Sequence, residues 1–223
     1  MSMLAAATRL RLSLSALLTG TPHPPVLQNT RPASALAMSG TPPIPLPSAA
    51  QPEVATFAAG CFWGVEHIFL KHYPIPQNKG ILRTAVGYIG GRSDAVDPDY
   101  ETVCSGRTGH AEALRIEFDP CILTYAQLVE FFYRTHDPTT VNSQGNDYGT
   151  QYRSAIFYHS PEQHETAARV TAEIQKSHFD PFGKKIVTDL VPAGPWFDAE
   201  DYHQEYLHKN PSGYQCPTHT LHW

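Results

Sequence analysis

The chain has 223 residues, 41% hydrophobic and 17% charged, which is enough apolar mass for one sizeable core. A net charge of −5 and a pI near 6.2 give no electrostatic footprint for nucleic acid. Four cysteines are too few for a disulfide scaffold at this length, no apolar run is long enough to span a membrane, and Pro211 after Asn210 removes the one candidate glycosylation sequon.

The first 52 residues read apart from the rest. They hold Arg9, Arg11 and Arg31 and many Ser, Thr, Ala and Leu, and the first acidic residue is Glu53. Basic, serine-rich and acid-free is the composition of an organelle transit peptide, with Leu10, Leu12, Leu14, Leu17 and Leu18 able to line one face. Two other readings stay open: a secretory signal, whose apolar core Arg9 and Arg11 would interrupt, and a disordered tail without an address. From Thr41 to Pro52 the proline spacing predicts an extended linker. Initiation at Met38 would give a form without the leader, so a mitochondrial or cytoplasmic location, or both, is expected. The expected organisation is a leader and linker over 1–52 and one folded domain over 53–223.

That domain opens with a predicted strand at 54–58, apolar and β-branched, that runs into Ala58-Ala59-Gly60. Helical spacing follows over 62–73, with Trp63, Val65, Ile68 and Phe69 sharing roughly one face. Cys61, within Gly60-Cys61-Phe62-Trp63-Gly64, therefore falls at the positive end of a helix. There, free N–H groups are expected to lower the thiol pKa and make it a nucleophile. A buried structural cysteine is the blander alternative. His72 to Gly80 reads as a surface loop without chemistry. Further strands are predicted near 84–89, 111–118, 153–158 and 186–191, and helices near 125–135, 161–178 and 199–208. Thr124 with Gln127, and Ser160 with Pro161 and Gln163, are helix-start signals, and Phe179 to Gly183 stops the third of these four helices. The fold class is α+β: a central mixed sheet with packed helices and a long C-terminal coil.

In the predicted strand 111–118, Glu112, Leu114, Ile116 and Phe118 share one face. A carboxyl on an apolar face must be neutral or hydrogen-bonded, whereas one at an exposed strand end simply meets solvent; periodicity alone leaves both open. Cys216 lies in Pro211-Ser212-Gly213-Tyr214-Gln215-Cys216-Pro217, a segment expected to be coil able to swing a thiol. Cys104 and Cys121 are expected to pack or to be incidental. Cys216 with His219 and His222 offers three ligands where a closed zinc site needs four, so no metal is expected.

The pentad around Cys61 resembles the signature of the A-type peptide methionine sulfoxide reductases. The resemblance resumes at Gly87-Tyr88-Ile89-Gly90-Gly91, Tyr100, Ser105 to Glu112, His136 to Thr139 and Asn142 to Asp147. It continues at Gly149 to Ser154, Ala199 to Gln204 and Asn210 to Cys216, in the family's order across about residues 53–217. It implies a ferredoxin-like core within the α+β class and a catalytic domain over 53–223. It also implies reduction of the S epimer of methionine sulfoxide, free or in proteins, as a repair of oxidative damage. Cys61 would be the nucleophile, Glu112 of Gly-His-Ala-Glu the acid, and Tyr100, Tyr152 and Asp147 its helpers. Phe62 and Trp63 would wall the pocket for the S-methyl group, and Cys216 would resolve the Cys61 sulfenic acid to a disulfide that thioredoxin reduces. No cofactor beyond thioredoxin as reductant is expected, nor a nucleic-acid or membrane partner, and a monomer is expected. Two other classes compete: a thiol hydrolase or acyltransferase pairing Cys61 with His110 or His203, and a non-catalytic redox-sensing or methionine-sulfoxide-binding module.

Overall fold

The computed structural model describes residues 51–223; the leader and almost all of the predicted linker lie outside the described residues. A six-stranded sheet carries the fold. Its strands are β1 (Glu53–Ala59), β2 (Ile81–Ile89), β3 (Ala111–Phe118), β6 (Ser154–Tyr158), β7 (Asp189–Pro192) and β8 (Trp196–Asp198). A separate two-stranded pair is made by β4 (Ser143–Gln144) and β5 (Asp147–Tyr148). The six strands run in the order β7-β6-β1-β3-β2-β8. Every neighbouring pair is antiparallel except β6 with β7, so the sheet is mixed as expected.

Alternation along the central strands divides the apolar residues between two faces. Phe57, Leu114, Ile116, Phe118 and Ile156 point into the larger core. Helices α1 (Phe62–His72), α3 (Tyr125–Arg134) and α4 (Pro161–Ile174) supply its other half through Val65, Ile68, Phe69, Leu128, Val129, Phe132, Ala167 and Val170. Phe57 sits at its centre, its ring 5.8 Å from that of Phe69 and 5.1 Å from that of Phe132. Ala58, Ala111, Ala113, Ala155 and Phe157 face the opposite side, a thinner layer covered by Val191, Ala193 and Trp196.

The helix starts follow their signals. Thr124 and Gln127 form a reciprocal capping box on α3, and the Ser160 hydroxyl accepts from the Gln163 amide at 3.2 Å. The third long helix stops where expected: α4 passes into a π-helical turn at Gln175–Phe179 and then a 3-10 turn at Asp180–Phe182, ended by Gly183 at φ 63°.

Other expectations are corrected. The strand predicted at 186–191 begins later, at Asp189. The helix predicted over 199–208 is a series of turns with one short helical element, α5 (Tyr206–Lys209). Its residues are committed to tertiary contacts instead. Gln204 acts as a strand partner, accepting from the Val86 amide at 2.8 Å and donating to the Val86 and Ala199 carbonyls at 2.9 Å each. The Glu205 amide donates to the Glu66 carboxyl at 2.7 Å, with Glu205 in the left-handed region at φ 50°. Three elements had no periodicity to reveal them: α2 (Tyr100–Cys104), capped by Asp99 and Thr102, the edge strand β8, and the β4–β5 pair.

Gln204 pins the C-terminal coil to β2, so Gln204→Ala should lower stability by ~1–3 kcal/mol, because the Val86 amide loses its partner. Urea unfolding checks the stability, and amide exchange should show Val86 losing protection ahead of the core of β3.

Candidate active site

Cys61 is the residue between β1 and α1, with its carbonyl accepting from the amides of Gly64 at 3.2 Å and Val65 at 3.3 Å. The flanking glycines have separate reasons. Gly60 turns the chain at φ 93°, and a Cβ there would lie 2.7 Å from the Gln144 side chain. A Cβ on Gly64 would collide with the imidazole of His219, whose Nε2 is hydrogen-bonded to the Ala59 carbonyl at 2.8 Å. The C-terminal tail therefore packs directly against the turn that carries the thiol.

The thiol is 7% exposed. Burial pushes its pKa well above the ordinary value, and the charge of Glu112 pushes it further, with Asp147 adding less. The amides of Trp63 and Gly64 pull it down without prevailing. This corrects the expectation of a lowered pKa: the helix end is present, but the loss of water outweighs it.

Glu112 is buried, settling what periodicity left open. It pairs with Tyr88 across β2–β3, and its Oε2 accepts from the Phe62 amide, the first of α1, at 3.0 Å. Burial raises its pKa to about 8; the Phe62 amide pulls down and Asp147 pushes up. The carboxyl is therefore mostly protonated at neutral pH, and in that form it no longer opposes a negative charge on Cys61.

Tyr100, the first residue of α2, and Tyr152, in a 3-10 turn at Thr150–Tyr152, both have hydroxyls held above the ordinary tyrosine range. Burial dominates in each, and Glu112 and Cys61 contribute to both, so the two rings share the surroundings of the thiol and the carboxyl. Asp147, on β5, accepts from the Tyr214 hydroxyl at 2.9 Å, while its other oxygen is buried with no partner among the described residues. Tyr100, Tyr152, Glu112 and Asp147 thus converge on Cys61 from three sequence regions.

Trp63 stacks on Tyr206 at 3.8 Å and donates its indole N–H to His203 Nδ1 at 2.8 Å. Phe62 is buried against Tyr88 and His203. Cys216 lies in coil as expected, but it is buried rather than free to swing. Its Sγ donates to the Gln144 carbonyl at 3.3 Å and packs on Gly145. Cys61 and Cys216 are both free thiols, and Cys121 is exposed. Cys104 stands closer to the chemistry than expected, since it acts on both Tyr100 and Tyr152.

Several residues escaped the sequence reading. Glu200 accepts from the Tyr88 hydroxyl at 2.8 Å and from the Tyr100 amide at 2.9 Å, and it lies 3.6 Å from His203 Nε2. Gln144, His219 and Tyr214 hold the tail to the Cys61 turn and to Asp147. Only a tertiary structure reveals such contacts, because each partner is remote in sequence. The histidine-assisted hydrolase receives no support: the charges acting on Cys61 are carboxylates, His203 Nδ1 is taken by Trp63, and His110 packs on Gly91 and edge-on to Phe197.

Residues 53–222 match the family described as peptide methionine sulfoxide reductase. The chain belongs to the A branch of that family. It is 55% identical to the probable peptide methionine sulfoxide reductase of Schizosaccharomyces pombe, over 77% of this chain and 97% of that protein. It is 49% identical to the peptide methionine sulfoxide reductase MsrA of Methanothermobacter thermautotrophicus, over 71% of this chain and 88% of the other. Among solved structures it is similar to Mxr1 from Saccharomyces cerevisiae in reduced form, with a TM-score of 0.71, 43% identity, and 78% and 94% of the two chains covered. Mxr1 in complex with Trx2 aligns at a TM-score of 0.51 and 30% identity, over 78% of this chain and 92% of that one.

The raised carboxyl has a consequence for folding. Between about pH 4.5 and 8 the folded state keeps a proton on Glu112 that the unfolded state has lost, so this group makes stability fall as pH rises. The slope reaches at most ~1.4 kcal/mol per pH unit for one proton. Glu112→Gln should remove this component, and urea midpoints measured from pH 5 to 8.5 for both proteins check it.

Proposed function

We propose that this chain reduces the S epimer of methionine sulfoxide, free or in proteins, to methionine. Cys61 is the nucleophile, Glu112 the proton donor and thioredoxin the final reductant. The observation that carries the reading is a neutral carboxyl, protonated up to about pH 8, buried beside a thiol at the head of α1. A sulfoxide oxygen is a strong acceptor, and only a proton donor turns it into a leaving oxygen.

In this reading Trp63, backed by Phe62, receives the S-methyl group, and Tyr100 and Tyr152 donate to the sulfoxide oxygen alongside Glu112. Glu112 gives its proton to that oxygen. The carboxylate left behind can take the thiol proton, which answers the high thiol pKa without an outside base. The Cys61 sulfur attacks the sulfoxide, and the oxygen passes to it, so that a Cys61 S–O bond forms as the substrate S–O bond breaks. Methionine leaves, and Cys61 carries the oxygen, with the proton from Glu112, as a sulfenic acid. Asp147 holds Tyr214 and adds to the charge that keeps Glu112 protonated. Cys216 then condenses with the sulfenic acid to give a disulfide and water, and thioredoxin reduces the disulfide by exchange. Because Cys216 is buried on Gly145 and Gln144, this step requires local rearrangement of the tail. The association of Mxr1 with Trx2 in a related structure supports thioredoxin as the partner. No cofactor beyond this reductant is needed, and the protein acts as a monomer.

We read the inner four strands, ordered β6-β1-β3-β2 with α1 and α3 as crossovers, as a ferredoxin-like core. We also assign 1–52 as a leader and linker that sends part of the product to mitochondria and leaves part in the cytoplasm. A reporter fused to residues 1–40 that stayed cytosolic or was secreted would overturn this assignment.

Cys61→Ser should abolish reduction, and residual turnover would move the nucleophile elsewhere. Glu112→Gln should slow single-turnover sulfenic acid formation by ~100-fold or more while the protein stays folded. The wild-type rate of that step should fall as pH rises through about 8, where the proton leaves. A rate that climbed across the same range would make thiol ionisation limiting instead.

Cys216→Ser should release about one methionine per enzyme in a fast phase and then stall with thioredoxin. Dithiothreitol should restore turnover. Normal cycling of this variant with thioredoxin would assign resolution to another thiol; Cys104→Ser, at a thiol near Tyr100, is the matching control.

A further inference from the structure

Beside Trp63 the structure forms a cavity of about 550 Å³. One stripe of α1 makes its floor: Trp63, Glu66, His67 and Leu70, at helical spacing. The segment after α1 makes one wall with Pro74, Ile75 and Pro76, and α5 makes the other with Leu207 and His208. The first wall is part of the loop from His72 to Gly80 that reads in the sequence as surface without chemistry. Here it folds into a 3-10 turn at Ile75–Gln77, with Ile75 39% exposed.

The cavity walls are fixed rather than collapsed. Glu66 accepts from the Thr84 hydroxyl at 2.8 Å and from the Glu205 amide at 2.7 Å, which ties α5 to α1. Trp63 is stacked on Tyr206 and hydrogen-bonded to His203, so it is a rigid partition with Cys61 two residues before it. From Trp63 to Leu70 is two helical turns, ~10 Å at 1.5 Å per residue. An extended peptide covers that distance in about three residues at ~3.3 Å each.

We propose that this cavity is a second substrate subsite. It takes an apolar side chain about three residues from the oxidised methionine when the substrate is an extended polypeptide. The proposal rests on the reductase reading and specifies its substrate. The occupant follows from continuity and shape: the cavity shares Trp63 with the proposed methyl pocket, and its floor and loop wall are mainly apolar. The rim is mixed in charge, with Glu205 beside His67, Lys71 and His208, so the apolar floor rather than the rim selects the occupant. A free amino acid reaches the methyl pocket alone and gains nothing from the cavity. The chain would therefore favour oxidised methionine in exposed, unfolded apolar segments over the free amino acid.

The test compares Ile75→Asp and Leu70→Gln with the wild type, using dithiothreitol as reductant and three substrates. These are free methionine sulfoxide, and peptides carrying leucine or serine three residues from the sulfoxide, on either side. In the wild type, leucine on one of the two sides should raise kcat/KM about tenfold over serine. Both variants should lose that gain while reducing free methionine sulfoxide as before; Ile75, on an exposed loop, tolerates the change without threatening the core. Equal kcat/KM for the leucine and serine peptides on both sides would overturn the subsite and leave the reductase reading intact. Failure of the wild type to reduce any of the three substrates would overturn the reductase reading itself. If Ile75→Asp instead raised KM for thioredoxin with free methionine sulfoxide as substrate, the cavity would belong to the reductant and the proposal would fall.

Discussion

A carboxyl buried with no cation beside it among the described residues is the constraint on which the rest of the site depends. Glu112 receives one amide hydrogen bond, from Phe62, and this does not offset the loss of water. The group therefore takes up a proton instead of an ion-pair partner. Its position follows from alternation on β3: the face that puts Leu114, Ile116 and Phe118 into the core also puts Glu112 under α1. The hydrophobic pattern that builds the sheet thereby fixes the protonation state of the acid. Neutrality of that acid also lets a thiol sit beside it with no cationic neighbour among the described residues.

The second organising contact is between the tail and the Cys61 corner. Gly60 and Gly64 leave no room for Cβ atoms because Gln144 and His219 occupy those positions. Farther along, Arg134 holds the main-chain oxygen of Trp223 at 2.9 and 2.6 Å, and the Trp223 ring stacks on His178 at 4.1 Å. The segment bearing Cys216 is thus tethered on both sides of the sulfur, through Tyr214 to Asp147 and through His219 to Ala59. Under the proposed mechanism, a thiol in such a segment would be delivered by a limited local release, not by a search through open coil, with the ordering cost of bringing two distant thiols together met in folding.

The sequence revealed what local periodicity and capping encode. The strands from 54 and 111, the capping box of α3, the Ser160 cap of α4, and the face on which Glu112 lies were all legible because each is written in neighbouring residues. Residues 199–208 were not. Their pattern resembles a helix, yet the Gln204 side chain satisfies the backbone of β2 and the Glu205 amide donates to the Glu66 carboxyl of α1, and tertiary partners override propensity. The thiol pKa was misjudged for a related reason: a helix end is visible in sequence, whereas the depth of burial that opposes it is not. Tyr100, Tyr152 and Asp147 came only through resemblance, because a lone tyrosine or aspartate carries no periodic signal.

The segment that fails to become a helix explains why the pocket aromatics stay where they are. Glu200 reaches Tyr88 and the Tyr100 amide, His203 receives the Trp63 indole, and Tyr206 lies flat on that indole. A regular helix over 199–208 would place residues 200, 203 and 206 on nearly one stripe, but it would close their backbone groups on themselves. Gln204 and Glu205 would then have to leave Val86 and Glu66. As turns, the same residues reach β2, α1 and α2 at once, so the aromatic walls are fixed by hydrogen bonds as well as by packing. Local regularity is given up here for rigidity at the site, which is where agreement between propensity and structure is expected to break down.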